Sequence, residues 1–370
     1  MWVITLLATV LTGWLRARGP DETRSELERL TRYFAASSYS VNTLKGYATH
    51  VRAYVAFCVK FGYEVLPASD SVLSQFYVFQ SQTCTPDSLK TYTSGIRAFH
   101  LENGYPWPHV STRILVHRTM LGIKRVFGAP AKPKLAVSLE HLLDMRIFLN
   151  FDDANDVMWW AAALVAFFLS LRKDNVTCEK ENSWNARSNL CRGDFAPALG
   201  WGRVMKGPLW VQIRSSKTNQ SGTRVHYVPL IPIPDNPLCP VTAVVRAFSV
   251  HPDCEAAQPA FSTWTGLTGA GGTRAGAGRF SPMTHSVFVR RFKALIKDIG
   301  LNPADYSGHS FRRGAATLAF TLTDRHELIK YLGLGDWRSD AYLGYNQMSV
   351  ESKCLLPELM ARYAIGLSRT

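Results

Sequence analysis

His309 and Arg312 stand three residues apart inside the run Gly308-His309-Ser310-Phe311-Arg312-Arg313-Gly314-Ala315-Ala316. If a helix begins at or near Ser310, their side chains share one face. An imidazole able to take up a proton and a guanidinium able to hold an anion then point the same way. Gly314, Ala315 and Ala316 suit close packing of that helix on a neighbour, and its first turn of unpaired amides favours negative charge. The pair has the makings of a phosphate site. Any amphipathic helix can carry a histidine and an arginine at this spacing, so the pair gains meaning from what else the chain brings to it.

Further groups could do chemistry. The apolar run Phe167-Phe168-Leu169-Ser170-Leu171 gives way at once to Arg172-Lys173-Asp174-Asn175. A charge directly after so hydrophobic a helix must be paired, solvated or aimed at a ligand. Lys217 lies in the polar turn 214–222, between segments 209–213 and 224–230 that alternate or run apolar as strands do. Trp337 follows Arg312 by 25 residues; its indole N–H can only donate, so it can serve an anion but not act as a base. Tyr342 and Tyr345 come next. A phenol, with an ordinary pKa of about 10, becomes a nucleophile only with help in losing its proton.

The stretch from Tyr306-Ser307-Gly308 to Arg313-Gly314-Ala315-Ala316-Thr317 resembles the His-x-x-Arg box of the tyrosine recombinase (phage-integrase-like) family, in the form seen in eukaryotic mobile elements. Arg172 matches the family's first catalytic arginine, although the carboxylate often found three residues later is here Asn175. Ser216-Lys217-Thr218, followed by a strand ending Val228-Pro229-Leu230, is similar to the family's lysine-bearing β-hairpin. Trp337 stands where the family carries a His or Trp. Tyr345, eight residues further on, matches the nucleophile, with Tyr342 its packing neighbour. The resemblance implies that Arg172 and Arg312 hold the non-bridging oxygens of a phosphodiester, that Trp337 donates another bond, and that His309 helps Tyr345 shed its proton. Lys217 would protonate the departing 5′-oxygen. A 3′-phosphotyrosyl intermediate, no metal and no other cofactor, double-stranded DNA as substrate, and a homotetramer assembled on it all follow from the family, with residues 355–367 as a docking element between subunits. Two alternatives are a catalytically silent DNA-binding protein of the same fold and a type IB topoisomerase-like nicking-closing enzyme.

The elements that must position these residues are legible in the periodicity. Within residues 41–61, Leu44, Tyr47, Val51, Tyr54, Val55 and Cys58 recur at three- and four-residue intervals behind Ser40, leaving Lys45 off the stripe. Pro67 and Ser69 precede a further helix at 72–78. Thr85-Pro86-Asp87 opens another, with Leu89, Tyr92, Ile96 and Phe99 as its apolar stripe and Lys90, Thr91, Ser94 and Arg97 on its other sides. Hydroxyls interleaved with cations suit a phosphate backbone, since its oxygens accept from both. Residues 114–127 add Lys124 and Arg125, and the Pro-rich basic stretch 128–134 brings Lys132 and Lys134. Helices are expected at 139–151 and 156–171, strands at 190–195, 209–213 and 224–230, and a flexible loop at 263–278. A helix striped by Phe288, Phe292, Leu295 and Ile299 carries Arg290 and Arg291 on its other face.

The expected fold is therefore mainly α with a small β-sheet: a helical N-terminal core-binding domain (21–127), a linker (128–135) and an α+β tyrosine-recombinase catalytic domain (136–370). Two domains so joined could close on a duplex from opposite sides. Lys plus Arg exceed Asp plus Glu by 42 to 28 in the 370 residues, a net charge of +14 that suits a polyanion. The seven scattered cysteines contain no Cys-x-x-Cys pair, which points away from a disulfide framework or a zinc site. Residues 2–14 are apolar, too short for a comfortable membrane span and without the basic start of a secretory signal, so no membrane role is expected. Nuclear residence follows from a DNA substrate in a eukaryotic-type sequence.

Overall fold

The computed structural model describes residues 24–108, 113–128, 134–214, 226–268, 274–275, 278–322 and 350–367. The chain divides into two compact units, 1–131 and 132–370. Each is mainly helical, and the second also holds a small antiparallel sheet.

In the first unit the helices are α1 (Arg24–Ser37), α2 (Val41–Phe61), α3 (Asp70–Gln80), α4 (Pro86–Glu102) and α5 (Ile114–Phe127). Ser40, Ser69 and Thr85 cap α2, α3 and α4, each side-chain oxygen accepting from the amide three residues on. Tyr54, Phe57, Phe76, Tyr77, Leu89, Ile96, Val116 and Ile123 form the core. At Gly95 a Cβ would lie 2.8 Å from the Cβ of His50, so glycine is what lets α4 approach α2 so closely. Beside this core His100 is fully buried, its Nε2 accepting from the Ala68 amide (2.8 Å) and its Nδ1 donating to the Ile96 carbonyl (2.8 Å).

The second unit is built round α7 (Ala154–Phe168), in which every residue except Asn155 is buried. A helix apolar on all sides must be covered on all sides; here α9 (Pro240–Val250), α11 (Ser310–Leu322), β4 (Ser262–Trp264) and α8 (Lys173–Val176) pack against it. The Trp159 indole donates to the Phe288 carbonyl (3.0 Å), which fixes α10 (His285–Asp298) to α7. Phe311 of α11 is fully buried against Trp159, Phe288 and Phe292, burial that contributes roughly 1.5–3 kcal/mol. The sheet runs in the order β1 (Phe195–Pro197), β2 (Leu209–Ile213), β3 (His226–Leu230), all antiparallel, with Leu209 opposite Leu230 and Ile213 opposite His226. Leu209, Val211 and Ile213 turn inward, as period-two alternation requires.

Several expectations need correction. α6 spans Leu139–Ile147, shorter than the expected 139–151, with Ser138 and His141 forming a reciprocal cap. Of the strand expected at 190–195, only Phe195 lies in one, the start of β1, because the Asp194 carboxylate accepts from the Cys191 amide (2.7 Å) and bends residues 192–194 into a tight turn. The stretch 263–278 carries strand structure: β4 pairs with β7 (Phe280–Pro282), and β5 (Leu267–Thr268) pairs with β6 (Arg274–Ala275). Gly266 and Gly278 serve packing, since a Cβ on either would run into the Trp264 ring. In α12 (Val350–Leu367), Leu356, Met360, Ala361 and Ala364 are buried in the core of their own unit. Among the described residues no helix is long and apolar enough to cross a membrane.

Candidate functional site

Three sequence-predicted residues, Arg172, His309 and Arg312, come together where α7 ends and α11 begins. Helix α7 closes in a Schellman motif: the Leu171 amide donates to the Ala166 carbonyl (2.8 Å) and the Ser170 amide to the Phe167 carbonyl (2.8 Å). The residue at the left-handed position is Ser170 (φ 49°), where glycine is the usual occupant. Ser170 is fully buried and bonds twice to one partner. Arg312 Nη1 donates to the Ser170 carbonyl (3.0 Å), and Ser170 Oγ donates to the Arg312 carbonyl (3.3 Å). The chain then turns extended through Arg172 into α8. The two arginines thus reach one place although 140 residues separate them.

Helix α11 starts at Ser310, as the reading of the box requires. His309 takes the cap position, its carbonyl accepting from the Arg313 amide (3.0 Å). Ser310 Oγ accepts from the Ser307 amide (2.9 Å) and shapes the turn that presents His309. Gly314 has the packing role its size suggested: a Cβ there would fall 1.8 Å from the Val137 carbonyl oxygen. The close approach seats α11 against the segment 134–137, where the Leu135 amide donates to the Asp305 carbonyl (2.8 Å) and the Val137 amide to the Ser310 carbonyl (3.1 Å).

His309 is exposed, while Arg172 and Arg312 are half-buried. The His309 pKa lies below the ordinary imidazole value. Desolvation of the packed part of the ring is the leading cause; Lys173, Arg172 and Arg312 push the same way, and Asp174 pulls against them. A histidine so placed is neutral near pH 7 and able to accept a proton, beside two arginines suited to fork-like bonds with phosphate oxygens.

Lys217, Trp337, Tyr342 and Tyr345 lie outside the described residues, as does Lys132. Arg214, next after β2 and three residues before Lys217, is anchored: it pairs with the buried carboxylate of Asp194 (2.5 Å) and donates to the Ala186 carbonyl (2.9 Å). Of the residues expected to meet DNA, Lys45, Lys90, Thr91, Ser94, Arg97, Lys124, Arg125, Lys134 and Arg290 are exposed. Thr91 spends its hydroxyl on the Ser88 carbonyl (2.6 Å), Lys90 faces Asp87 (3.2 Å), and Lys134 donates to the Ala304 carbonyl (2.6 Å). Arg291 holds Asp156 through Nε and Nη2 (both 2.7 Å) and the Phe148 carbonyl (3.1 Å), an internal commitment of α10 to α7. Its apparent place on a basic face gave no hint of a buried partner 135 residues away. Sequence reasoning also passed over Lys173, Asp174 and His285, which adjoin the site.

No family model matches the chain, and no curated protein matches it. Among solved structures it is similar to the integrase from mycobacterium phage Brujita, at 14% identity and TM-score 0.35, over 92% of this chain and 94% of that one. It is also similar to an Flpe–Holliday junction complex (10% identity, TM-score 0.38, 85% of this chain and 83% of that one). An FLP recombinase–Holliday junction complex gives 9% identity and TM-score 0.38, again over 85% and 83%.

Proposed function

We propose that this chain is a tyrosine-type DNA recombinase or integrase, which cuts and rejoins DNA strands through a covalent phosphotyrosyl intermediate. The observation that carries the reading is the convergence of Arg172, His309 and Arg312 at one half-open locus, tied by the reciprocal Ser170 and Arg312 bonds. A phosphodiester resists attack because its anionic centre repels nucleophiles and its leaving alkoxide is strongly basic, so catalysis must neutralise charge and deliver a proton. Arg172 and Arg312 supply the first requirement. For the second, His309 takes the phenolic proton as the Tyr345 oxygen bonds to phosphorus. The bond from phosphorus to the 5′-oxygen breaks, and Lys217 gives that oxygen a proton. Trp337 donates its N–H to the same phosphate. Reversal with a 5′-hydroxyl from another strand restores the phosphodiester and frees the tyrosine, so the bond energy is conserved. Four such chains on two duplexes would complete an exchange.

The test is trapping on a nicked suicide substrate drawn from the ends of the element that carries the gene. Wild type and Tyr342→Phe should form a covalent protein–DNA adduct; Tyr345→Phe should not. Retained DNA binding with no adduct from any version would identify a silent DNA-binding protein. Relaxation of supercoils without exchange between paired sites would indicate a nicking-closing enzyme.

A further inference from the structure

Lys173 follows Arg172 directly, yet its ammonium is engaged elsewhere. Nζ sits 2.5 Å from Asp174 Oδ1 and 3.1 Å from His285 Nδ1. His285 Nε2 comes within 3.1 Å of the same Asp174 oxygen, an ion-pair distance without hydrogen-bond alignment. The lysine stem lies against the backbone just before His309: a Cβ on Gly308 would stand 2.8 Å from Lys173 Cδ and 3.3 Å from its Cβ. Only a residue without a side chain leaves that path clear. His285 is itself fixed, since it opens α10 behind the Thr284 cap and its amide donates to the Cys178 carbonyl (2.7 Å). The side chains of Lys173 and His285 are three-quarters buried.

We propose that Lys173, gripped by Asp174 and His285 across the Cα of Gly308, is a positioning residue for His309: it fixes the approach of the His309 backbone and sets the balance of charge beside the imidazole. The inference rests on the reading of His309 as the base in strand cleavage. The charged groups facing His309 are Arg172, Lys173 and Asp174 from the segment after α7, and Arg312 from α11. His285 stands behind Lys173 and faces Asp174 and Glu179. An ammonium that donates to Nδ1 requires His285 to be neutral with its proton on Nε2, and burial together with Lys173 lowers the His285 pKa in that sense. Lys173 and Asp174 act on His309 with opposite signs. The grip therefore opposes a cation to a carboxylate, and removal of either leaves the other uncompensated. The surrounding arginines are needed for phosphate and cannot be adjusted to tune the base; the neighbouring lysine can.

The full chain, carrying histidine labelled with ¹³C in the ring, allows His309 to be titrated by NMR, its signal assigned by loss in His309→Gln. Lys173→Met keeps the stem and removes the charge, so the His309 pKa should rise. Asp174→Asn should lower it. The acid limb of the cleavage pH profile should move in the same direction as the titration in each variant. Should the Met variant fail to fold by thermal unfolding, Lys173→Gln carries the same expectation. An unmoved His309, or shifts of the same sign in the Lys173 and Asp174 variants, would overturn the proposal. Opposite shifts in a protein that never traps DNA would leave the electrostatic link standing and remove the recombinase reading. Trapping by wild type with an unmoved His309 would do the reverse.

Discussion

Ser170 offers a direct way to separate what holds the fold from what holds the site. In Ser170→Ala the side-chain bond to the Arg312 carbonyl is lost, a net cost of about 1 kcal/mol, while the left-handed backbone at φ 49° keeps its penalty. In Ser170→Gly the same bond is lost, but glycine is favoured at that conformation by about 1 kcal/mol over alanine. The two terms nearly cancel. Alanine should therefore lower the melting temperature of the second unit by about 2–4 °C, whereas glycine should leave it within about 1 °C of wild type. The Arg312 guanidinium still finds the residue-170 carbonyl in both variants, but the reciprocal hydroxyl that ties the Arg312 backbone is gone from both. Strand cleavage should fall by a similar factor in each, about fivefold for a bond of this strength. Calorimetry and single-turnover adduct formation on a suicide substrate read the two effects separately. If glycine destabilises as much as alanine, the turn is not strained. If cleavage follows stability, with glycine at wild-type rate, the hydroxyl does not position Arg312.

Three other outcomes are expected. His100 is neutral in the fold, its pKa lowered chiefly by burial; the unfolded chain takes up a proton that the native one refuses, so its contribution is intact above pH 6.5 and is lost as pH falls through the unfolded value towards the lowered folded one. Urea unfolding of the first unit should weaken between pH 7.5 and pH 5, and less so in His100→Asn. Arg291→Ala leaves the nearly buried Asp156 without its cation and should cost about 3 kcal/mol, against less than about 0.5 kcal/mol for exposed Arg290→Ala, as judged by chemical denaturation. Lys90→Ala and Arg97→Ala should each reduce the slope of log binding constant against log salt by about 0.9 if those side chains meet phosphates; an unchanged slope would remove α4 from the DNA interface.

Helices α2, α3 and α4 of the first unit were legible because each begins with an oxygen-bearing cap, Ser40, Ser69 or Thr85, and continues with apolar residues at helical spacing. The box was legible for a related reason: His309 and Arg312 are close in sequence, and the helix start that aligns them lies between them. Arg172 could be singled out because a charge after a wholly apolar helix is conspicuous. What escaped notice depends on partners distant in sequence. Nothing local marks Arg291 as the counter-ion of Asp156, or His285 as the neighbour of Lys173 across 112 residues. The paired strands at 262–282 were hidden because glycine reads as flexibility, although here it makes room for Trp264.

The backbone bonds from Leu135 to Asp305 and from Val137 to Ser310, with the Val137 carbonyl lodged over Gly314, bear on how the segment entering the second unit behaves under load. Two amide rungs and a sterically closed slot leave it no alternative register, so a pull arriving from residue 133 cannot be absorbed by sliding. It passes to the first turn of the helix that presents His309 and Arg312. Length or stiffness changes upstream of residue 134 should accordingly be felt as changes in how this histidine and arginine are aimed.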